Sequence, residues 1–354
     1  MKILVLSQDY PSIDKPYAMS YVHSRNIEYL KLNHDVQVIN FSVSKEYSFE
    51  GIKVYPLSFA LLDQADIILS HAPNIRNHFK VIRKLKKKKI IFFFHGHEVL
   101  RKYGDYPAPY TWNEDSILKK ILVKFYDSIK LKLVRKYLLQ LQSNNELGLI
   151  YVSEWMRKQF LNNIKLKPET IGKVAVISNA NNYIFIDQEY NYDKQNKKAD
   201  FITIRPLDDS KYAIDLVVNF AKNNPDKTFH VYGKGNYFNY NIKPKNIEVI
   251  NSFIAQKDIP NLLNKYSCAL MPTRYDAQGV MVCEMATFGI PVITSDFEVC
   301  IEMLNGFKNV AYLSDSDFSK IKFEDIEITN CKSKNLKFSA ESLVAEELAF
   351  FDKL

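Results

Sequence analysis

The sequence has no apolar run long enough to cross a membrane. A transmembrane helix needs about 20 consecutive apolar residues, and every apolar stretch in these 354 residues is shorter. The N-terminal stretch MKILVLSQDYP has too short an apolar run for a signal peptide and no small-residue cleavage site. We therefore expect a cytoplasmic globular protein whose first residues form a buried strand.

Glycine and cysteine are scarce, with 10 and 4 residues respectively. No G-x-G-x-x-G motif follows a predicted first strand, which disfavours a nicotinamide-dependent two-domain enzyme. The cysteines lack metal-ligand spacing, and without an export signal we expect reduced thiols. They are Cys268, Cys283, Cys300 and Cys331.

Basic residues are concentrated in the first half of the chain. Residues 1–180 contain 28 Lys and Arg against 16 Asp and Glu, whereas residues 181–354 contain 20 against 24. Much of the excess lies in 80–89 and in 118–139, where cations alternate with apolar residues. This pattern is typical either of a helix on an anionic membrane surface or of a solvated helix face covering a sheet. No nucleic-acid-binding motif accompanies the charge, so we expect no nucleic acid partner.

Short apolar runs rich in β-branched residues alternate with helical patterns along the whole chain. The strand candidates are 2–7, 35–41, 65–70, 89–94, 148–153, 173–178, 201–205, 228–233, 247–251, 268–272, 291–295 and 310–314. Such alternation predicts an α/β fold with parallel sheets covered by helices on both faces.

The chain is too long for one comfortable core, and its pattern restarts near residue 200. The polar stretch 187–200 is the predicted linker. We expect an N-terminal Rossmann-like domain over 1–186 and a C-terminal Rossmann-like domain over 187–338. A closing helix over 339–354 is predicted to pack back on the first domain.

Polar residues recur where predicted strands end, which is where ligands bind in open parallel sheets. The residues in these positions are His95, His97, Glu98, Glu154, Arg205, Gly233, Thr273, Arg274 and Asp276.

The stretch RYDAQGVMVCEMATFGIPVIT (274–294) holds a lone carboxylate, Glu284, in an apolar run. The pattern predicts a buried helix that begins at Gly279 or Val280 and ends at Phe288, because Gly289 suits a left-handed cap. The free N–H groups at its N-terminus suit a phosphate. Glu284 needs partners, either two ribose hydroxyls or a nearby Lys or Arg.

The text DAQGVMVCEMATFGIPVITS resembles the nucleotide-sugar signature of glycosyltransferase family 4. That family has the GT-B fold, in which two Rossmann-like domains face each other across a cleft. The matching residues are Asp276, Gly279, Glu284, Met285, Ala286, Gly289, Pro291 and Val292. The resemblance implies that Glu284 binds the donor ribose, that Asp276 meets the donor sugar, and that the backbone at Gly279 and Val280 meets the diphosphate. Asp276 stands where glutamate is usual and is one CH₂ shorter.

Other stretches resemble the family in the expected order. IRPLDDSKYAIDL resembles its strand-end Arg followed by Lys, which implies that Arg205 and Lys211 neutralise the departing diphosphate. FHVYGKGNY resembles the family's Gly-x-Gly turn at Gly233. IIFFFHGHEVL resembles its strand ending in His-Gly, which implies that His95 lies near the donor sugar and the reacting bond. His97 is the second candidate there, and Glu98 is either a site acid or a helix cap.

Two further features are a loop that departs from the family pattern and a motif that resembles a metal site. The family's first loop carries a glycine pair, whereas QDYPSIDKPYAMSYVHSRN has none and places Tyr17, Ala18 and Met19 there. Asp315-Ser316-Asp317 resembles a metal-binding pattern of a different glycosyltransferase fold, but it follows the nucleotide-site elements, so we interpret it as a surface loop. GT-B relatives generally work without a bound metal, and we expect no metal and no cofactor.

Together these features predict a glycosyltransferase, and the resemblance implies retention at the anomeric carbon. It also implies that 1–186 is the acceptor-side domain and 187–338 the nucleotide-sugar-binding domain. The enzyme would move a sugar from a nucleoside-diphosphate-sugar donor to a hydroxyl of a glycan or lipid-linked acceptor, in bacterial envelope polysaccharide synthesis. The basic segments 80–89 and 118–139 would hold it on the inner face of an anionic membrane. The alternative is a non-catalytic GT-B-like partner subunit of a glycosyltransferase complex, of which Asp276 and the glycine-free loop would be the signs.

Overall fold

The computed structural model describes residues 1–252, 254–329 and 334–354, so Cys331 lies outside the described residues. The chain divides into two compact units. The first comprises Met1–Asp105, Ile117–Asn182 and Phe338–Leu354, and the second comprises Tyr106–Ser116 and Tyr183–Lys337.

The first unit is built on an eight-stranded sheet with the strand order β3-β4-β2-β1-β5-β6-β7-β8. Its strands are β1 (Lys2–Ser7), β2 (Asp35–Asn40), β3 (Tyr47–Phe49), β4 (Ile52–Tyr55), β5 (Ile67–His71), β6 (Lys89–Phe94), β7 (Glu146–Tyr151) and β8 (Lys173–Val176). All pairings are parallel except β3 with β4. Its helices are α1 (Ser20–Lys31), α2 (Phe59–Gln64), α3 (His78–Ile82), α4 (Ile117–Gln142) and α5 (Glu154–Ile164).

The second unit is built on a six-stranded parallel sheet with the order β11-β10-β9-β12-β13-β14. Its strands are β9 (Ala199–Ile204), β10 (Phe229–Tyr232), β11 (Ile247–Ile250), β12 (Tyr266–Leu270), β13 (Val292–Ser295) and β14 (Val310–Leu313). Its helices are α6 (Tyr183–Asp187), α7 (Ile214–Asn223), α8 (Tyr237–Tyr240), α9 (Ile259–Leu263), α10 (Val280–Phe288) and α11 (Glu298–Leu304).

The last helix, α12 (Ala340–Phe351), belongs to the first unit and contacts α1. Phe350 and Phe351 join the buried cluster around β1. The central strands are nearly continuous runs of apolar residues, as expected for a parallel sheet that is covered on both faces. In β6 (KIIFFF), for example, every residue from Ile90 to Phe94 is buried.

The hairpin of β3 and β4 was not predicted from sequence. Its strands are short, and in β4 only Ile52 and Val54, every second residue, are apolar and buried. The signal that was available is Glu50-Gly51, whose φ values of 45° and 84° form the turn.

Two features of the predicted domain division need correction. Residues 106–116 were assigned to the first domain, but they belong to the second unit, where the Tyr110 hydroxyl donates to Asp215 at 2.8 Å. The segment 187–200 is not a free linker. The Tyr190 N–H donates to the Phe288 carbonyl at 2.9 Å, and its hydroxyl donates to the Tyr266 carbonyl at 2.6 Å.

Candidate functional site

Arg205 directly follows β9, and its side chain is almost fully buried. A terminal guanidinium nitrogen donates to the Thr273 hydroxyl at 2.7 Å and lies 3.4 Å from the Met271 carbonyl oxygen. Its Nε is buried without a hydrogen-bond partner in the described part of the chain. Burial lowers the pKa of Arg205, and the nearby charge of Asp276 offsets part of that shift. A buried cation with an unused donor is suited to receive an anion.

Lys211 lies in the helical turn Ser210–Tyr212, with its side chain a quarter exposed. Its Nζ lies 3.5 Å from an oxygen of Asp209 and 4.7 Å from the centre of the Tyr212 ring. Burial lowers the pKa of Lys211, but Tyr212, Asp209 and Asp276 more than offset this and leave the pKa above its ordinary value. Lys211 therefore stays charged at neutral pH, close to the same acid that influences Arg205.

Gly233 directly follows β10 and lies beside Arg205, which follows the neighbouring parallel strand β9. A Cβ at this position would lie 1.8 Å from the Arg205 carbonyl oxygen, so only glycine fits. The turn that follows is held by Asp208, whose carboxylate accepts the Asn236 N–H at 2.7 Å. Gly233 thus sets the backbone beside Arg205.

Helix α10 begins at Val280 and ends at Phe288. Gly279 and Gly289 flank it in the left-handed region, with φ values of 72° and 104°. The first N–H groups of a helix have no partner inside it, and the helix dipole makes this end positive. Glu284 lies inside α10 at 3% exposure, and the Gln256 side-chain amide donates to it at 3.4 Å.

Asp276 stands in the loop between β12 and α10. One carboxylate oxygen accepts the N–H groups of Ala277 at 2.8 Å and Gln278 at 3.4 Å. This is a local turn that a short acid makes readily. Since its charge acts on both Arg205 and Lys211, Asp276 belongs to the same cluster as these cations.

Arg274, which also follows β12, has a structural role. Its guanidinium makes two hydrogen bonds to Asp215, at 2.7 and 2.6 Å, and one to Asp315 at 2.9 Å. Asp317 accepts from the Ser314 hydroxyl at 2.7 Å. The two acids of the Asp-x-Asp pattern therefore have separate partners. In the described ranges no three His, Cys, Asp or Glu residues come together as metal ligands would.

Aromatic side chains around Lys211 were missed at the sequence level. Tyr106 and Tyr212 both face its ammonium, and Tyr106 also contacts Tyr275 with ring centres 4.8 Å apart. Tyr106 lies about 100 residues from Lys211 in sequence, so no local pattern indicates the contact.

In the first unit, His95 directly follows β6. Its Nε2 lies 3.2 Å from Nδ1 of His71, and its Nδ1 is buried without a hydrogen-bond partner among the described residues. Burial, followed by the proximity of Arg25 and His97, holds the pKa of His95 well below its ordinary value. His95 is therefore a neutral imidazole near pH 7. The structure describes it within the first unit, and its role toward the donor stays a prediction.

Glu98 has a local role. One carboxylate oxygen accepts the backbone N–H groups of His95 and Gly96, the latter at 3.0 Å. His97 is exposed, with its Nδ1 3.5 Å from the other oxygen of Glu98. Residues 97–99 form a turn and not a helix, so Glu98 is not a helix cap, and its carboxylate fixes the turn that carries His95.

The glycine-free first loop contains a left-handed residue. Met19 precedes α1 with φ 49° and ψ 41°, a conformation that glycine adopts at lower cost. The loop therefore keeps the backbone geometry that glycine favours although its sequence lacks glycine.

A cavity of about 770 Å³ lies at the C-terminal end of α10 and is lined by Phe288, Tyr190 and Asn309, among others. It does not include Arg205, Lys211 or Glu284. Because Arg205, Lys211 and Asp276 gather near the N-terminal end of α10, we place the candidate site there.

Comparison with known proteins points to one class of enzyme. Residues 186–324 match the family model described as Glycosyl transferases group 1. This range contains Arg205, Lys211, Asp276 and Glu284. No curated protein sequence matches the chain.

Solved structures match over nearly the whole chain. Sucrose-phosphate synthase from Thermosynechococcus elongatus is 11% identical, covers 99% of this chain and 98% of its own, and superposes with a TM-score of 0.68. WaaG, a glycosyltransferase involved in lipopolysaccharide biosynthesis, is 11% identical, with 99% of this chain and 93% of its own chain covered and a TM-score of 0.56. A trehalose-6-phosphate structure from E. coli bound with UDP-2-fluoro glucose is 12% identical, with 100% of this chain and 96% of its own chain covered and a TM-score of 0.57. At these identities the likeness shows the fold, which is GT-B.

Proposed function

We propose that this chain, whose residues 186–324 match the family model for group 1 glycosyl transferases and whose fold is GT-B, transfers a sugar from a nucleoside-diphosphate-sugar donor to an acceptor hydroxyl. One observation carries the proposal. Arg205, Lys211 and the loop that leads into α10 gather beyond the carboxyl ends of β9 and β12, with the buried carboxylate of Glu284 in α10. These are the groups that a nucleoside diphosphate requires.

The cations would act on the leaving group. As the bond to the sugar breaks, the diphosphate gains negative charge, and fixed positive charges stabilise the transition state more than the ground state. Arg205 would offer its unused Nε, Lys211 its ammonium, and the backbone at Gly279 and Val280 the N–H groups of the helix end.

Glu284 would hold the donor through its ribose. A carboxylate has two oxygens that accept from vicinal hydroxyls, and Glu284 is fixed in a buried helix. Asp276 would position the donor sugar, and the family resemblance implies that His95 also lies near that sugar. We also propose transfer with retention at the anomeric carbon, which is the outcome that the family resemblance implies.

The conservative change Glu284→Gln tests the donor site. It keeps the size of the side chain but replaces one acceptor oxygen by a donor. Loss of a hydrogen bond to a charged group costs about 1.5–3 kcal/mol, so we expect donor affinity to fall about 10- to 100-fold. Isothermal titration with UDP-, GDP- and ADP-sugars measures this effect. Gln195→Ala, in the exposed segment of the same unit, is the control. Unchanged donor affinity in Glu284→Gln would contradict the proposed ribose contact.

The acceptor is proposed to be a glycan or a lipid-linked glycan of the bacterial envelope. WaaG, which shares the fold, is involved in lipopolysaccharide biosynthesis. A surface of the first unit supports an acceptor at a membrane. Five large apolar side chains on the first turns of α4 are each at least 60% exposed: Ile117, Leu118, Ile121, Leu122 and Phe125.

This apolar stripe lies among cations. The sequence of α4 contains seven Lys and Arg and one acid, Asp127, whose carboxylate pairs with Lys130 at 2.8 Å. The segment 80–89 adjoins the same helix, because the Arg83 guanidinium lies 5.5 Å from the centre of the Tyr137 ring. No helix in the described ranges is long and apolar enough to cross a bilayer. We propose that α4 lies on an anionic membrane surface.

Vesicle flotation tests the membrane surface. We expect the wild type to bind vesicles containing 30% phosphatidylglycerol. The triple variant Leu118→Ser, Leu122→Ser, Phe125→Ser should bind at least about 10-fold more weakly, because three apolar side chains that would be buried in the membrane surface are removed. Ile242→Ser, at an equally exposed position of the second unit, is the matched control and should bind as the wild type does. A wild type that stays off these vesicles at about 0.1 M salt would contradict the proposal.

A further inference from the structure

Residues 106–116, YPAPYTWNEDS, lie in sequence between two segments of the first unit but belong to the second unit. We call them the strap. Pro107 and Pro109 favour extended backbone for the residues before them, so this stretch is stiff. Four of its eleven residues, all aromatic or amide side chains, contact residues of the sheet-bearing part of the second unit: Tyr106, Tyr110, Trp112 and Asn113. The strap is therefore a built part of that unit.

The strap contacts two loops of the candidate donor site, the loop after β9 and the loop after β12. The Asn113 amide donates to the Asp208 carbonyl at 3.1 Å, and Asp208 holds the turn after Gly233. The Tyr110 hydroxyl donates to Asp215, which is bound to Arg274 through two hydrogen bonds.

These contacts continue to Lys211. The Arg274 backbone N–H donates to the Lys211 carbonyl at 2.8 Å, which joins the loop after β12 to the turn that carries this lysine. The Lys211 ammonium itself lies 5.9 Å from the centre of the Tyr106 ring and 4.7 Å from that of Tyr212. The ammonium is thus flanked by two aromatic rings, one of them supplied by the strap.

We propose that the strap is a structural component of the donor site and that Tyr106 is a positioning residue for Lys211. The Tyr106 ring attracts the ammonium through its negative face and limits the directions in which the long side chain can point. Lys211 would then meet the diphosphate in one orientation, with less side-chain entropy to lose on binding. This inference rests on the proposed function, since it concerns the same diphosphate.

Two variants separate the ring from the hydroxyl. Tyr106→Leu removes the aromatic face and keeps apolar bulk, whereas Tyr106→Phe keeps the ring. Calorimetric titration with UDP and with inorganic pyrophosphate measures binding. We expect Tyr106→Leu to weaken both by a similar factor, about 3- to 30-fold, because pyrophosphate has neither base nor ribose. Tyr106→Phe should stay within about two-fold of the wild type. Tyr183→Leu, an exposed tyrosine of the same unit, is the control.

The outcomes distinguish this inference from the proposed function. If the wild type binds neither probe, the donor site itself is wrong and the inference fails with it. If the wild type binds both and Tyr106→Leu binds equally well, only the inference is wrong. Equal losses in Tyr106→Leu and Tyr106→Phe, or a loss for UDP alone, would also overturn the positioning of Lys211 by the ring.

A second measurement does not depend on the folding of a Tyr106 variant. The chain has two tryptophans, Trp112 in the strap and Trp155 in α5. In Trp155→Phe, the only remaining reporter is Trp112, which stacks on Tyr240 with ring centres 5.1 Å apart. UDP should change its emission and its quenching by acrylamide, with the same dissociation constant as calorimetry gives. Saturation with UDP that leaves both unchanged would overturn the strap as part of the site.

Discussion

Arg205→Met is expected to lower kcat/KM for sugar transfer by about 10²- to 10³-fold, without lowering the melting temperature. The loss follows because a fixed donor aimed at developing charge is worth about that factor. Stability should be kept because methionine fills similar space, and no ion pair to Arg205 exists among the described residues that its removal would break. Initial rates and calorimetry of the same preparations measure both quantities.

Arg205→Lys is the matched control for charge. Lysine keeps the positive charge but lacks the planar guanidinium. In Arg205 this group donates to Thr273 and has a further donor, Nε, without a partner among the described residues. We expect its activity to lie between those of the wild type and Arg205→Met. Activity of Arg205→Met within about ten-fold of the wild type would contradict a role in stabilising the leaving group.

The second large effect concerns stability. Arg25 and Glu347 form a fully buried ion pair in the first unit, with Nε and Oε1 2.6 Å apart. The Tyr29 hydroxyl donates to the other oxygen of Glu347. Glu347→Leu leaves the guanidinium of Arg25 buried without its counter-charge, so we expect the free energy of unfolding of this unit to fall by about 3 to 5 kcal/mol.

The double variant Arg25→Met, Glu347→Leu tests the cause. If the cost is an uncompensated charge, removing both charges should recover most of the stability that Glu347→Leu loses. Arg25 also donates to the Asn179 side chain at 2.9 Å and to the Ser178 carbonyl at 2.8 Å, so some loss should remain. Denaturant titration followed by far-UV circular dichroism measures both variants and the wild type. A double variant no more stable than Glu347→Leu would show that the contacts of Arg25, and not its charge, decide the result.

The sequence predicted the parts of the fold that local chemistry determines. Twelve apolar runs were predicted as strands, and each overlaps a strand whose ends lie within two residues of the predicted ones. The bounds of α10 were also predictable, because Gly279 and Gly289 adopt the left-handed backbone that glycine permits at low cost.

The contacts between distant segments could not be predicted in this way. The strap has no apolar period that would assign it to a sheet, and its partner Lys211 lies about 100 residues away. Arg274 follows a strand as Arg205 does, yet Asp215 and Asp315 engage its guanidinium through contacts across 59 and 41 residues. A strand-end arginine thus predicts a site position, and only the fold tells which arginine keeps an unused donor.

A crystal structure of the protein with UDP tests the central claim most directly. We predict diphosphate oxygens within hydrogen-bonding distance of the backbone at Gly279 and Val280 and of the Arg205 guanidinium, with the ribose hydroxyls on Glu284. UDP bound elsewhere, for example in the cavity at the C-terminal end of α10, would contradict the donor site proposed here.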